Sequence, residues 1–308
     1  MARANPSFAH RLGWRLEAFG YDFVSFLLRL LPVDWASAVG GAVVRLIGPL
    51  TREHRIADAG VQLAFPELTP EERRRIVMAH WDNLGRTAIE FVMMDRILKD
   101  PARIEVLGSE RLLELSKRRA PAIAISGHFA NWEAMGAAVG IVNLEMMINY
   151  RPANNPYVDR RIVESRSKHG VHLFAPKGRE GVRGLVQALG RGELIGFVND
   201  QRDNNGVEAP FFGHMVRTAQ GPARLALAHD VPIYPISVER LRGPRFRVRV
   251  HDPIRPEHSG DRERDMHDLV ARINAYMEAR IRERPEQWLW SHRRWPWEAY
   301  EAIGLKLR

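Results

Sequence analysis

From residue 104 onward the chain alternates short apolar runs with amphipathic stretches, a rhythm that few folds accept. The runs are Ile104 to Val106, Ala122 to Ser126, Glu145 to Ile148, Val171 to Phe174, Leu194 to Val198 and Pro232 to Val238. Between them lie Glu110 to Arg119, Glu133 to Gly140, Asn155 to His169, Val182 to Arg191 and Thr218 to His229. Runs this short read as strands, and an intervening helix returns the chain to the end where the previous strand began, so neighbours pair in parallel. The predicted fold class is therefore α/β, with a largely parallel sheet flanked by helices. Phe246 to Val250 adds a strand and Arg262 to Arg284 a closing helix.

Residues 1–100 read differently, as helices. Thr69-Pro70-Glu71-Glu72 sets a capping residue, a proline and two carboxylates at the start of a helix running toward Leu98. Phe23 to Leu31 and Ala36 to Leu50 are apolar, but Arg29, Pro32, Asp34 and Arg45 interrupt them. No run of about 18 uncharged apolar residues remains to mark a certain span. Trp14, Phe19 and Tyr21 mixed with Arg11 and Arg15 suit a helix lying in a bilayer interface. The competing reading is an amphipathic helix packed on its own protein. The expected organisation is a helical, membrane-associated extension over 1–100 and an α/β core over 101–308, forming one continuous unit.

Composition narrows the chemistry. The chain has no cysteine, which excludes disulfides, thiolate metal sites and a sulfur nucleophile. A net charge of +9 attracts polyanions, whether nucleic acid, anionic lipid, phosphorylated glycolipid or an acidic carrier protein. No nucleic-acid module accompanies that charge.

The segment Gly127-His128-Phe129-Ala130-Asn131-Trp132-Glu133 follows the run Ala122 to Ser126, placing His128 in a strand-to-helix turn. On an ideal helix, five positions turn a side chain by about 140°, separating His128 from Glu133; a turn removes that objection. Glu133 is then expected to hold one ring nitrogen and leave the other free to take a proton. A turn or capping histidine is the alternative. With 12 His and 37 Asp plus Glu in 308 residues, roughly one or two such spacings arise by chance. The second match, His258 to Glu263, lies in a charged stretch with no strand before it.

Other candidates stand near strand ends, where open α/β sheets bind ligands. Arg151 opens the Pro-rich loop after the third run, and Arg166 follows in a basic segment with Arg160, Arg161 and Lys168. A subset of these arginines suits phosphate, and a solvated helix face is the alternative. Asp200 ends the run Leu194 to Val198 ahead of the polar loop Arg202 to Val207, as a site acid or a cap. Phe211 and Phe212 are core or line an acyl passage. Trp288, Trp290 and Trp295 alternate with cations including Arg293 and Arg294. That mixture suits a headgroup interface where arginines meet phosphates, or an aromatic lid with cation–π contacts.

GHFANWE, RPANNP, ESRSKHG, NDQ, PFFG with a downstream Thr218, and PEQWLWSHRRW occur in the order and spacing of the bacterial lipid A biosynthesis acyltransferases, which the chain resembles over roughly residues 20 to 297. The resemblance implies a glycerolipid-acyltransferase-like fold. It also implies transfer of a fatty acyl chain from an acyl carrier protein thioester to a hydroxyl of a phosphorylated glycolipid, at the cytoplasmic face of a bacterial inner membrane, with no cofactor or metal and no nucleic-acid partner. His128 and Glu133 match the family's catalytic pair, and Arg166 and Asp200 its other functionally important arginine and aspartate. The aspartate segment also resembles broader relatives that acylate phosphoinositol mannosides, so another glycolipid or a lysophospholipid is the alternative acceptor. A hydrolase is the nearest other enzyme class, and the chain lacks a G-x-S-x-G elbow. A metal enzyme built on His128, Glu133 and Asp200 matches no compact ligand spacing. A basic membrane-binding protein without activity is the remaining class.

Overall fold

Five α-helices precede the first strand in the computed structural model, which describes residues 7–144, 146–150, 152–168, 171–174 and 179–305. They are α1 (Phe8–Arg29), α2 (Val33–Ile47), α3 (Arg52–Ala64), α4 (Pro70–Phe91) and α5 (Met94–Lys99). At the start of α4, the Glu72 amide donates to the Thr69 hydroxyl at 3.3 Å. The Thr69 amide in turn donates to the Glu72 carboxylate at 2.8 Å, completing a capping box. The helix expected to reach Leu98 stops at Phe91, and the chain turns at Val92 and Met93 into the short α5.

The α/β region runs β1 (Ile104–Leu107), α6 (Ser109–Arg118), β2 (Ala122–Ser126), α7 (Gly136–Gly140), β3 (Met146–Asn149), α8 (Pro156–Ser167), β4 (Val171–Phe174), α9 (Arg179–Gly190) and β5 (Leu194–Val198). It continues with β6 (Arg202–Phe211), β7 (His214–Thr218), α10 (Gly221–His229), β8 (Ile233–Arg240), β9 (Phe246–Val250), α11 (Arg262–Glu283) and α12 (Trp297–Ala302). Seven strands form one sheet in the order β1-β9-β8-β2-β5-β3-β4. Within it only β8 and β9 pair antiparallel. Every residue of β2 is buried, as befits a central strand covered on both faces. Ile123 and Ile125 join one apolar cluster with α3, α4, α10 and α11, while Ala122 and Ala124 point into a second with α6 and α7.

The expected polar loop at Arg202 to Val207 is instead part of β6, which pairs with β7 in a separate two-stranded sheet. Phe212 (φ 47°) and Gly213 (φ 73°) make the turn, both left-handed, as a two-residue hairpin requires. Phe211 and Phe212 are buried among Phe65, Trp288 and Trp295, so they are core and line no acyl passage.

Candidate active site

Parallel register builds the centre of the site. Ser126, the last residue of β2, pairs with Val198, the last of β5. Two residues further along each chain stand His128 and Asp200, side by side at the carboxyl edge of the sheet. The His128 amide donates to Asp200 Oδ2 at 2.7 Å, and its Nδ1 meets Asp200 Oδ1 at 2.8 Å. Trp288 Nε1 donates to Asp200 Oδ2 at 2.7 Å. Asp200 is thus a buried acceptor for three donors, from the turn after β2 and the segment after α11. With Nδ1 carrying the proton given to Asp200, the free electron pair of the imidazole lies on Nε2. Nε2 makes no hydrogen bond among the described residues, and His128 lines a cleft of about 330 Å³.

Electrostatics reinforce this geometry. Burial disfavours charge on His128, but the adjoining Asp200 carboxylate outweighs it and raises the imidazole above its ordinary 6.5. Burial likewise pushes Asp200 up, yet the His128 charge, its two hydrogen bonds and the Trp288 indole hold the carboxyl down to about 2.

The acid on the imidazole is therefore Asp200, which corrects the expectation that Glu133 orients the ring. Glu133 turns elsewhere. Ala130 is left-handed at φ 47°, and Asn131 caps the 3₁₀ turn Trp132–Met135 by accepting the Glu133 amide at 3.2 Å. This path sends the Glu133 carboxylate toward α8, where Arg166 grips it with both arms of the guanidinium, Nε at 2.8 Å from Oε2 and Nη2 on Oε1. Both residues line the same cleft as His128, with Phe91, Met94, Met146 and Ile148 supplying an apolar wall. The cleft thus has a proton acceptor at one end, a cation tied to a carboxylate beside it, and a greasy side. Among the described residues no group of three or more His, Asp or Glu side chains gathers as a metal-ligand set.

The family model for bacterial lipid A biosynthesis acyltransferases matches residues 4–296. The chain belongs to that family. It is 28% identical over 297 residues to a lipid A biosynthesis palmitoleoyltransferase of Escherichia coli K12, covering 93% of this chain and 92% of that one. A lipid A biosynthesis lauroyltransferase of the same organism is 25% identical over 256 residues, covering 80% and 79%. Among solved structures, the 1-acyl-sn-glycerophosphate acyltransferase PlsC of Thermotoga maritima matches 78% of this chain and 98% of its own at 13% identity and a TM-score of 0.38. The fold assignment rests on the sheet order above and not on that distant likeness.

The remaining arginines of this acyltransferase separate. Arg294 is only 1% exposed. It donates to Thr218 Oγ1 at 2.7 Å and the Arg217 carbonyl at 3.0 Å, and stacks over Phe211 at 4.7 Å. Burial lowers its pKa to about 10. It ties the segment after α11 to the β6–β7 hairpin and cannot meet a substrate, contrary to expectation. Arg293 is exposed and stacks over Trp297 at 5.1 Å, outside the His128 cleft. Trp288, Trp290 and Trp295 are buried against one another instead of lying at a surface. Arg151 lies outside the described residues. The sequence pattern offered no sign that Trp288 would donate to Asp200, because an indole among aromatics reads as packing.

Proposed function

We propose that this member of the family transfers a fatty acyl chain from an acyl carrier protein thioester to a hydroxyl of a phosphorylated lipid A precursor. The carrying observation is the Asp200-held His128, whose Nε2 opens into a cleft with an apolar wall. In the proposed step Nε2 takes the acceptor hydroxyl proton as that oxygen attacks the thioester carbonyl. Asp200 stabilises the imidazolium and fixes its tautomer. The C–S bond then breaks, the leaving thiolate takes the proton back from His128, and an ester remains, with no covalent enzyme intermediate. The His128 amide is occupied by Asp200, and among the described residues lining the cleft Arg166 is the cation that can face negative charge developing on the carbonyl oxygen. Glu133 acts by placing Arg166.

Attachment is part of the same proposal, with residues 1–100 as the membrane-associated extension of the 101–308 core. On α1 and just beyond it, Phe8, Leu12, Leu16, Phe19, Phe23, Phe26 and Leu30 are exposed at helical spacing. Trp35, Val39, Val43, Leu46 and Leu50 form a second exposed stripe from α2 onward. Val33–Leu50 is long and apolar enough by composition to cross a membrane, with 28% of it buried. Such stripes on a strongly basic chain suit the anionic cytoplasmic leaflet of a bacterial inner membrane.

Reconstitution with acyl carrier thioester and a lipid A precursor tests the reading by mass spectrometry. One added acyl chain on the precursor is expected. Release of free fatty acid with the precursor untouched would make the protein a hydrolase instead.

A further inference from the structure

A second cavity of about 330 Å³ lies at the same carboxyl edge of the sheet and shares no lining residue with the His128 cleft. His128 lines one cavity and its neighbour Phe129 lines the other. The walls follow from register. Ser237 pairs with Arg249 and Glu239 with Arg247, so these four side chains share one face of the β8–β9 ladder. Val238, Val248, Ile236 and Val250 take the opposite, buried face. The carboxyl end of α11 and the chain beyond it close the polar side with Arg280, Glu283 and Arg284.

Four guanidinium groups and two carboxylates therefore line the space. The carboxylates are already taken. Glu239 holds Arg284 at 2.8 Å and Arg247 at 3.5 Å, Glu283 holds Arg280 at 2.7 Å, and Arg247 also reaches Glu105 at 2.9 Å. Arg249 makes no ion pair among the described residues. Burial first, and then the charges of Arg280, Arg249 and Arg111, push the neighbouring His251 imidazole down to about 4. A phosphate ester carries up to two charges and accepts from guanidinium forks in pairs. The space exceeds a bare phosphate and admits part of the group esterified to it.

We propose that this cavity is a phosphate-ester subsite separate from the acyl-transfer cleft. Its use by the acceptor rests on the lipid A reading; its existence does not. Calorimetric titration of inorganic phosphate into the full-length protein, held in a neutral detergent, tests existence. Saturable binding is expected in the wild type and equally in His128→Ala and Arg166→Ala. Arg249→Ala, at an exposed strand position, is expected to weaken it about tenfold, with Arg249→Lys in between. Absence of saturable binding, or binding lost in Arg166→Ala and kept in Arg249→Ala at unchanged melting temperature, overturns the proposal. Transfer assays then identify the source. If Arg249→Ala raises KM for a phosphorylated acceptor and leaves a dephosphorylated one unchanged, the subsite holds the acceptor headgroup. If it alters neither KM yet removes phosphate binding, the subsite serves a soluble phosphate ester.

Discussion

At the scale of single residues, the site divides its two carboxylates by what each touches. Asp200 is on the imidazole and Glu133 on Arg166, and the two pairings predict different pH behaviour. A general base must be neutral, so transfer rises as pH climbs through the His128 pKa, and the acid limb is expected above the ordinary 6.5. Asp200→Asn removes the charge that holds the pKa up. Its acid limb is expected to move to lower pH, with turnover down about 10²-fold or more because the tautomer is no longer fixed. Glu133→Gln leaves Asp200 in place, so its midpoint shifts less, and its loss should match that of Arg166→Lys. A midpoint that moves as far in Glu133→Gln as in Asp200→Asn would return Glu133 to the imidazole. His128→Ala is expected to cost about 10²–10⁴-fold in turnover with the fold retained. The linkage runs both ways. The raised His128 stabilises the fold below its unfolded pKa, and that contribution fades as pH rises through the folded value. The depressed Asp200 stabilises above its unfolded pKa, and its contribution is lost as pH falls toward about 2.

At the scale of elements, α4 shows how the turn after β2 is held in an unfavourable conformation. Asn83, Thr87 and Glu90 recur at helical spacing on one buried stripe of α4. The Ala130 carbonyl accepts from Asn83 Nδ2 at 3.2 Å and Thr87 Oγ1 at 2.9 Å, while its amide donates to the Gln287 carbonyl at 2.7 Å. Glu90 accepts from Ser37 Oγ at 2.6 Å, Asn131 Nδ2 at 2.9 Å and Arg240 Nη2 at 2.9 Å. These bonds offset a left-handed Ala130 that would otherwise cost about 1–3 kcal/mol. Arg240→Met leaves Glu90 buried without its cation and is expected to lower unfolding stability by about 3–5 kcal/mol in urea. Adding Glu90→Leu should recover much of that loss but not activity, since Asn131 then has no anchor. Recovery of both would show that α4 serves packing alone. None of this stripe was legible in the sequence, where Asn83 and Thr87 look like ordinary polar positions on an amphipathic helix. The main-sheet strands were legible because apolar run length survives tertiary context, and β2 to His128 to turn followed from it. The partner of His128 was not, because it is set by β2–β5 register across 72 residues. The β6–β7 hairpin was missed because its turn is Phe-Gly and Pro210 stands within a strand, both weak hairpin signals.

At the scale of the whole molecule, the helices that carry the exposed stripes, α1 and α2, are tied through their polar residues to the elements around the His128 cleft. Ser37 on α2 reaches Glu90, Asp34 pairs with Arg103 at 2.6 Å, and Asp22 on α1 pairs with Arg161 on α8, the helix that carries Arg166. Deleting residues 1–50 would therefore strip polar partners from both walls of the cleft as well as removing apolar surface. Substitution at exposed positions separates the two effects. Phe19→Gln, Phe23→Gln, Val39→Gln and Leu46→Gln together change side chains that are at least half exposed, so melting temperature should hold within a few degrees. Partition onto vesicles containing anionic phospholipid is expected to fall by more than tenfold, since each buried apolar side chain contributes about 1.5–3 kcal/mol. High salt on the unaltered protein should release only a fraction, because screening weakens attraction to headgroups and leaves apolar burial intact. Turnover on a soluble, short-chain acceptor should survive in the substituted protein while turnover on vesicle-borne acceptor falls with binding. If vesicle binding is unchanged by the four substitutions, the stripes do not face lipid, and the charge of the protein alone must hold it at the membrane.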